Sequence, residues 1–502
     1  MTQPASRPGP APDAADDARD LAEGGGFGRV GQLVGLVLGP AVAIGLQLIG
    51  APEGLDPKAW MVVSLLSLMV IWWITEPVPV AATALLPLVV LPLAGVVSAR
   101  EAAVPYADPI LFLFIGGFMI AIAIERWNLH ARAALSIAAA IGASPHRLVA
   151  GFILGAGLIS MWISNTATAL MLMPIAVGVA GALATGGQTD RRLGIALVLG
   201  VAYAASLGGM ATPVGSPTNV IAMGFLEQAN VSVTFSQWMA LGVPVMLILL
   251  PVLWFIVTRG LKPVTADQAQ AASGVVRRAL KDLGPITAPE VRVLAVFLAV
   301  ALAWMFRELL VKLPGLERLT DTLVALIGVL LLFLIPAGDH TRRNLLDWKS
   351  AERIPWGIVL LFGGGLSVAA AMDATGLSGW LAGRMAGLES LPPVVVILAL
   401  LLLTVVVTEL MSNVATLTGM LPILGALALA LDVNPLFLAF PVCLAASLGF
   451  MLPIATAPNA VAFATGMPTV RNMMRAGFLL NAAGIVVILA ITQTLGPLVL
   501  TG

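Results

Sequence analysis

The 502-residue chain has one cysteine, Cys443, three histidines and little charge, with 10% of residues charged against 59% hydrophobic. A lone cysteine excludes an intrachain disulfide and leaves too few thiols for a cysteine-based metal site. Its apolar surroundings suit a small buried core residue. The histidines, His130, His146 and His340, fall in expected cytoplasmic loops, where surface or interfacial positions are expected of them. Formal net charge is zero, so no overall field recruits nucleic acid or acidic partners. The apolar segments hold no paired acids, no His-rich cluster and no nucleophile with a nearby base, which argues against an enzyme.

Soluble domains carry about 25% charged residues, so the dearth here means that water is not the main solvent. Runs such as Trp238 to Val257 and Ala476 to Leu500 reach the ~20 residues needed to cross a bilayer as a helix. The fold expected is an all-α polytopic membrane protein. Residues 1–29, rich in Pro, Ala, Gly and Asp, read as a disordered tail. Apolar runs give eleven crossings, near 31–50, 59–75, 80–97, 108–124, 193–226, 236–258, 289–311, 320–337, 354–372, 434–466 and 476–499. Two more segments, 145–183 and 390–431, carry a polar cluster at mid-length and read as re-entrant hairpins. With the N-terminus cytoplasmic and the C-terminus outside, 20 of the 26 Lys and Arg fall on the inner side, as the charge asymmetry of membrane proteins requires. A cytoplasmic linker is expected over 259–288, between repeats at 30–258 and 289–502.

Those repeats are visible at a constant offset of 248. Phe114-Ile115-Gly116-Gly117 falls on Phe362-Gly363-Gly364-Gly365, Ser164-Asn165 on Ser412-Asn413, and Pro174-Ile175 on Pro422-Ile423. Beyond the hairpins the offset becomes 240, laying Gly215-Ser216-Pro217-Thr218-Asn219 over Ala455-Thr456-Ala457-Pro458-Asn459. The first hairpin would enter from the cytoplasm and the second from outside, so the copies are inverted, the geometry of alternating access.

Non-helical backbone at membrane depth is tolerated only where protein buries it or a cavity is lined by it. The two polar tips and the two Gly/Pro breaks, in 193–226 and 434–466, are such places. Free helix ends there attract anions by their N–H groups and cations by their carbonyls. Ser, Asn and Thr add neutral donors and acceptors. Neither the hairpins beyond Arg147 and Arg384 nor the broken spans hold a Lys or Arg, so a multiply charged anion would need co-bound cations as counter-charge. Ser160 and Thr408, one turn before each tip, can share the tip's cation, or each can bond back to its own helix. Glu125 and Asp373 read as helix-end residues, and Glu76 borders a span. Glu409 has no acidic counterpart, since the matching position holds Met161.

With these tips, the two break loops and the early Trp72-Trp73-Ile74-Thr75-Glu76-Pro77 run, the sequence from about residue 30 resembles the divalent anion/sodium symporter family of dicarboxylate, citrate and sulfate carriers. The resemblance implies a homodimeric elevator carrier, in which a scaffold domain holds the dimer contact and a transport domain moves. It implies one Na+ site at Ser160, Ser164, Asn165 and Gly215 and another at Thr408, Met411, Asn413 and Ala455. Substrate carboxylates would meet Asn165, Thr166, Ser216, Pro217, Ser412, Asn413, Val414 and Thr456. Val414 stands where the family often has Thr, and Ala457 where a Pro is frequent. The segments after Glu125 and Asp373 resemble the family's arm helices.

The function expected is sodium-coupled uptake of a small C4-dicarboxylate such as succinate across the inner, cytoplasmic membrane. A sodium-independent exchanger and a sulfate or citrate carrier share these features. From another class, so do a channel and an ion/proton antiporter.

Overall fold

The computed structural model describes residues 29–142, 144–182, 191–261, 265–338, 344–385 and 391–501. All but one residue of the expected tail, and His340, therefore lie outside the described residues. The described chain is a bundle of α-helices, with one isolated antiparallel bridge between Pro336 and Asn344. Eleven of the helices are long and apolar enough to cross a membrane.

The eleven are not the same set as the sequence suggested. Residues 80–97 break into Val80–Thr83 and Leu86–Leu93, where Pro79, Pro87 and Pro92 remove backbone donors. Residues 320–337 yield the shorter helix Asp321–Leu334, and 434–466 divides into Leu436–Ala446 and Ala457–Ala464. In their place, Asn165–Ala182, Pro393–Leu410 and Asn413–Ala430 each reach spanning length. They are the legs of helix pairs turning at 161–164 and 411–412; the remaining leg is Pro145–Ser160.

Three apolar cores divide the bundle. The largest joins both helix pairs with Arg191–Gly209, Pro217–Gln228, Phe235–Thr258, Leu436–Ala446 and Val470–Thr494. A second lies among Pro109–Arg126, Ala288–Met305 and Asp321–Leu334, and a third among Pro57–Thr75, Leu86–Leu93 and Trp356–Ala374. Glycine permits the closest approaches in the first core. A Cβ on Gly208 would overlap the carbonyl of Gly157, and one on Gly151 would lie 2.9 Å from the backbone of Ala138. Small residues at such crossings let membrane helices pack by van der Waals contact where no hydrophobic drive exists between them. Outward, Leu298, Leu302, Leu330, Leu334, Leu402 and Val406 are exposed, which suits hydrocarbon.

His130 and His146 differ from expectation. His130 lies on Leu129–Ile141 and is buried, its ring 3.4 Å from the carbonyl of Ile124. His146 begins Pro145–Ser160 and its ring meets Trp254 edge-on. Both follow a helix cap, Asn128 and Ser144, so their apolar neighbours continue as helix rather than loop. The expected linker contains the helix Ala266–Asp282, which packs on Asn165–Ala182 and Leu129–Ile141 through Ala272 and Val276. Glu125 and Asp373 sit in the last turns of their helices.

Candidate functional site

Each turn is built by a serine that caps the leg after it. Ser164 accepts from Ala167 N–H at 3.1 Å, and Ser412 accepts from Ala415 N–H at 3.2 Å. Such caps satisfy donors left over at a helix start and leave its partial positive charge at the turn. The next residue reaches back to the preceding leg. Ser160 Oγ donates to Asn165 Oδ1 at 2.7 Å, and Thr408 Oγ1 lies 2.9 Å from Asn413 Oδ1. Thr408 thus bonds across the turn, as does Ser160, and neither is merely bonded to its own helix.

The breaks are equally regular. After Arg191–Gly209, Asn219 Nδ2 donates to the carbonyls of Gly209 and Thr212, both at 2.7 Å. After Leu436–Ala446, Asn459 Nδ2 donates to the carbonyls of Gly449 and Leu452, at 2.8 and 3.0 Å. Each Asn is fully buried and closes the loop on itself, which answers the demand that freed backbone groups find partners. All three positions of one pattern match the other at the offset of 240.

Turn and break meet in both halves. Thr212 Oγ1 donates to the carbonyl of Met161 at 2.5 Å, and Thr408 Oγ1 reaches the carbonyl of Ala446 at 2.5 Å. A Cβ on Gly215 would lie 2.7 Å from the carbonyl oxygen of Gly209 and 3.0 Å from that of Met161, so oxygens crowd a pocket that only glycine leaves open. Gly209 in turn has Asn165 Oδ1 against it. Ser160, Asn165 and Gly215 therefore come together with the carbonyls of Met161 and Gly209. In the other half, Gly449 lies between Ala455, Thr456 and the carbonyl of Thr408. A neutral set of hydroxyl, amide and carbonyl oxygens suits a hard cation such as an alkali metal ion.

Two further helix starts lie at the breaks, where Ser216 precedes Pro217–Gln228 and Thr456 caps Ala457–Ala464. The leg Asn165–Ala182 packs on Ala457–Ala464, and Asn413–Ala430 packs on Pro217–Gln228, each half crossing to the other. Ser216 bonds Thr218 at 2.8 Å, Thr218 lies 3.4 Å from Ser447, and the Cys443 thiol donates to Asn219 Oδ1 at 3.5 Å. Hydrogen bonds thus run from the first turn to its break, across to the second break and on to the second turn. Thr166 and Val414 are half-buried at equivalent places, and Met411 ends its leg with an N–H bond to Val407.

Reading by motif missed Thr212, Ser447 and the structural work of Asn219 and Asn459. The two asparagines were legible as the matching ends of the repeated loop motifs. Thr212 and Ser447 carry no repeat signal, because their partners by offset are Leu452 and Leu207. Glu409 is explained by the fold: its carboxylate accepts the backbone N–H groups of Phe450, Met451 and Leu452 and the amide of Asn481.

Residues 31–501 match the family model of the sodium:sulfate symporter transmembrane region. The chain belongs to that family. Within the sodium:sulfate symporter family it is 38% identical over 481 residues to the sodium-dependent dicarboxylate transporter SdcS of Staphylococcus saprophyticus, covering 94% of this chain and 93% of that one. It is 36% identical over 479 residues to the protein of that name from Staphylococcus aureus, covering 94% and 92%. Among solved structures, it shares a fold with the Neisseria gonorrhoeae efflux pump MtrF, at a TM-score of 0.56, 15% identity and coverage of 90% and 96%. The Alcanivorax borkumensis YdaH transporter gives 0.54, 12%, and 81% and 87%. This family member is therefore a multi-pass membrane transporter and not an enzyme.

Proposed function

We propose that this chain couples sodium entry to uptake of a C4-dicarboxylate such as succinate. The observation that carries the reading is the paired neutral turn-and-break unit, with Ser160–Asn165 beside the Gly215 pocket and Thr408–Asn413 beside Gly449. Two similar oxygen-rich cradles supply sites for two cations, at Ser160, Ser164, Asn165 and Gly215 and at Thr408, Met411, Asn413 and Ala455. Between them, hydroxyls and helix N-termini at Asn165, Thr166, Ser216, Pro217, Ser412, Asn413, Val414 and Thr456 receive two carboxylates. Such a site has no fixed positive charge, so an empty carrier binds a dianion poorly. Two sodium ions supply the missing charge, and in a dry site that attraction far exceeds its value in water. Binding order, sodium before anion, follows from this electrostatics, so the anion does not cross without sodium. The names of the two staphylococcal relatives support both the cation and the substrate class.

The units moving together would be the helix pairs and broken helices of the largest core, sliding as an elevator against a scaffold that holds a homodimer contact. Inverted repeats at 30–258 and 289–502 supply the two end states, and the N-terminus lies in the cytoplasm. Uptake of labelled succinate into proteoliposomes, with and without an inward sodium gradient, tests the reading. Sodium-dependent accumulation, competed by other C4-dicarboxylates, is expected. Uptake that ignores sodium, or competition by sulfate but not by fumarate, would sink it.

A further inference from the structure

One acidic residue beside the second turn has no part in the proposed binding of sodium or anion. Glu409 is 6% exposed, follows Thr408 directly, and accepts three consecutive backbone N–H groups at 2.8 to 3.0 Å, with Asn481 Nδ2 at 2.8 Å as a fourth donor. Successive N–H groups converging on one acceptor form a nest that fits an anion. A trans peptide points its carbonyl opposite to its N–H. Turning the N–H groups of Phe450 and Met451 onto Glu409 therefore turns the carbonyls of Gly449 and Phe450 away from it, the first to Asn459 Nδ2 and the second to Tyr203 Oη at 2.6 Å. Helix Val470–Thr494 closes the far side, since a Cβ on Gly477 would lie 2.5 Å from the Phe450 carbonyl.

The first half of the chain solves the same problem differently. Position 161 is Met and position 212 is Thr, and the Thr212 hydroxyl ties the break to the Met161 carbonyl while accepting Gly215 N–H at 3.1 Å. At the equivalent positions the second half has Glu409 and Leu452. Leucine has no hydroxyl, so residue 452 cannot tie its loop to the carbonyl of residue 409, and the bond from Thr408 reaches only the start of that break, at Ala446. An acceptor from the neighbouring leg replaces it. Thr212 with Met161, and Leu452 with Glu409, are two alternative fastenings of one loop.

We propose that Glu409 is the positioning residue of the second sodium site: its carboxylate fixes the 449–452 loop, and with it the place of Gly449 against Ala455 and the Thr408 carbonyl, so that the second cradle keeps its shape for the ion. The inference rests on the sodium-coupled reading. Glu409 acts through the loop, so its loss weakens sodium binding without removing an ion ligand.

The test is a sodium titration of thermal stability on the purified full-length protein in detergent, in choline-balanced buffer, with sodium-activation curves for uptake alongside. Glu409→Gln puts an amide NH2 against N–H groups, and half-maximal sodium is expected to rise about tenfold or more. Glu409→Asp keeps the charge on a shorter arm and should fall between wild type and Glu409→Gln. Glu409→Met should behave as Glu409→Gln, and adding Leu452→Thr, which imports the first half's fastening, should recover most of the loss. A merely structural role would lower the melting temperature and leave the sodium titration unmoved. That result, a broken rank order, or a double variant no better than Glu409→Met would overturn the proposal. Wild-type protein that sodium does not stabilise would instead overturn the sodium reading beneath it.

Discussion

Replacing Gly215 by Ala adds one methyl group where there is least room. That methyl would lie 2.7 Å from the Gly209 carbonyl oxygen and 3.0 Å from the Met161 carbonyl oxygen, whereas ordinary contact begins at 3.4 Å. Relief demands a shift of roughly 0.7 Å, the difference between 3.4 and 2.7 Å, in a loop pinned from two sides. Asn219 Nδ2 holds the Gly209 carbonyl at 2.7 Å, and Thr212 Oγ1 holds the Met161 carbonyl at 2.5 Å. Overpacking of this kind costs about 1–3 kcal/mol. If the strain is relieved by spreading the oxygens proposed to hold the first sodium ion, that is a loss of about 5- to 140-fold in affinity at one site. Sodium-activation curves of uptake in proteoliposomes read it directly: half-maximal sodium rises by that factor and the curve loses steepness. The reciprocal change, Ala455→Gly, removes a methyl from the second cradle and should move half-maximal sodium less than threefold, on the order of 0.5 kcal/mol. A Gly215→Ala protein with a wild-type sodium curve would refute the placement of a cation beside Gly215.

Asn219→Ala and Asn459→Ala each strip two carbonyls of their donor, at about 1–3 kcal/mol per unsatisfied group, and uptake should fall at least tenfold in both. Equal losses in the two would support matching cradles, and normal uptake in either would argue against them. Gly208→Ala drives a methyl into the Gly157 carbonyl and is expected to destabilise the protein by about 1–3 kcal/mol, read as a lower melting temperature in detergent. Outside the apolar segments, the Arg126 guanidinium beside Asp347 holds that carboxyl well below the usual carboxylate range. A depressed folded-state pKa stabilises above the unfolded value of about 4 and is lost as pH falls through the folded value. Asp347 is half-exposed, so the pair contributes about 0–1 kcal/mol, and the melting-temperature gap between wild type and Asp347→Asn should be flat above about pH 4 and close below it.

Helix legs were legible because they are apolar over a length fixed by the bilayer, and the turns because a polar pair interrupts them twice at one offset. Counting crossings by hydropathy was less secure. Residues 80–97 and the second leg Asn413–Ala430 are both apolar and both contain proline, and only the backbone shows that the first divides at Ala84-Leu85 while the second runs unbroken over 18 residues through Pro422. His130 read as a loop residue because its neighbours include Arg126, Asn128 and Arg132, yet Asn128 starts a new helix that buries it. Ser160 and Thr408 were found by their distance from each turn, since four residues make one turn of helix.

What the sequence alone determined was the kind of solvent, the duplication and the neutral oxygen-bearing residues at turns and breaks, all of which are local in the chain. Only the tertiary structure decided who holds whom. Glu409 is one residue from Thr408 but grips Phe450, Met451 and Leu452, some forty residues on, and Tyr203 reaches Phe450 across nearly half the chain. A carboxylate placed in an apolar segment must find donors somewhere, because leaving it unpaired there costs several kcal/mol. Composition states that need; the packing of distant helices chooses the partner.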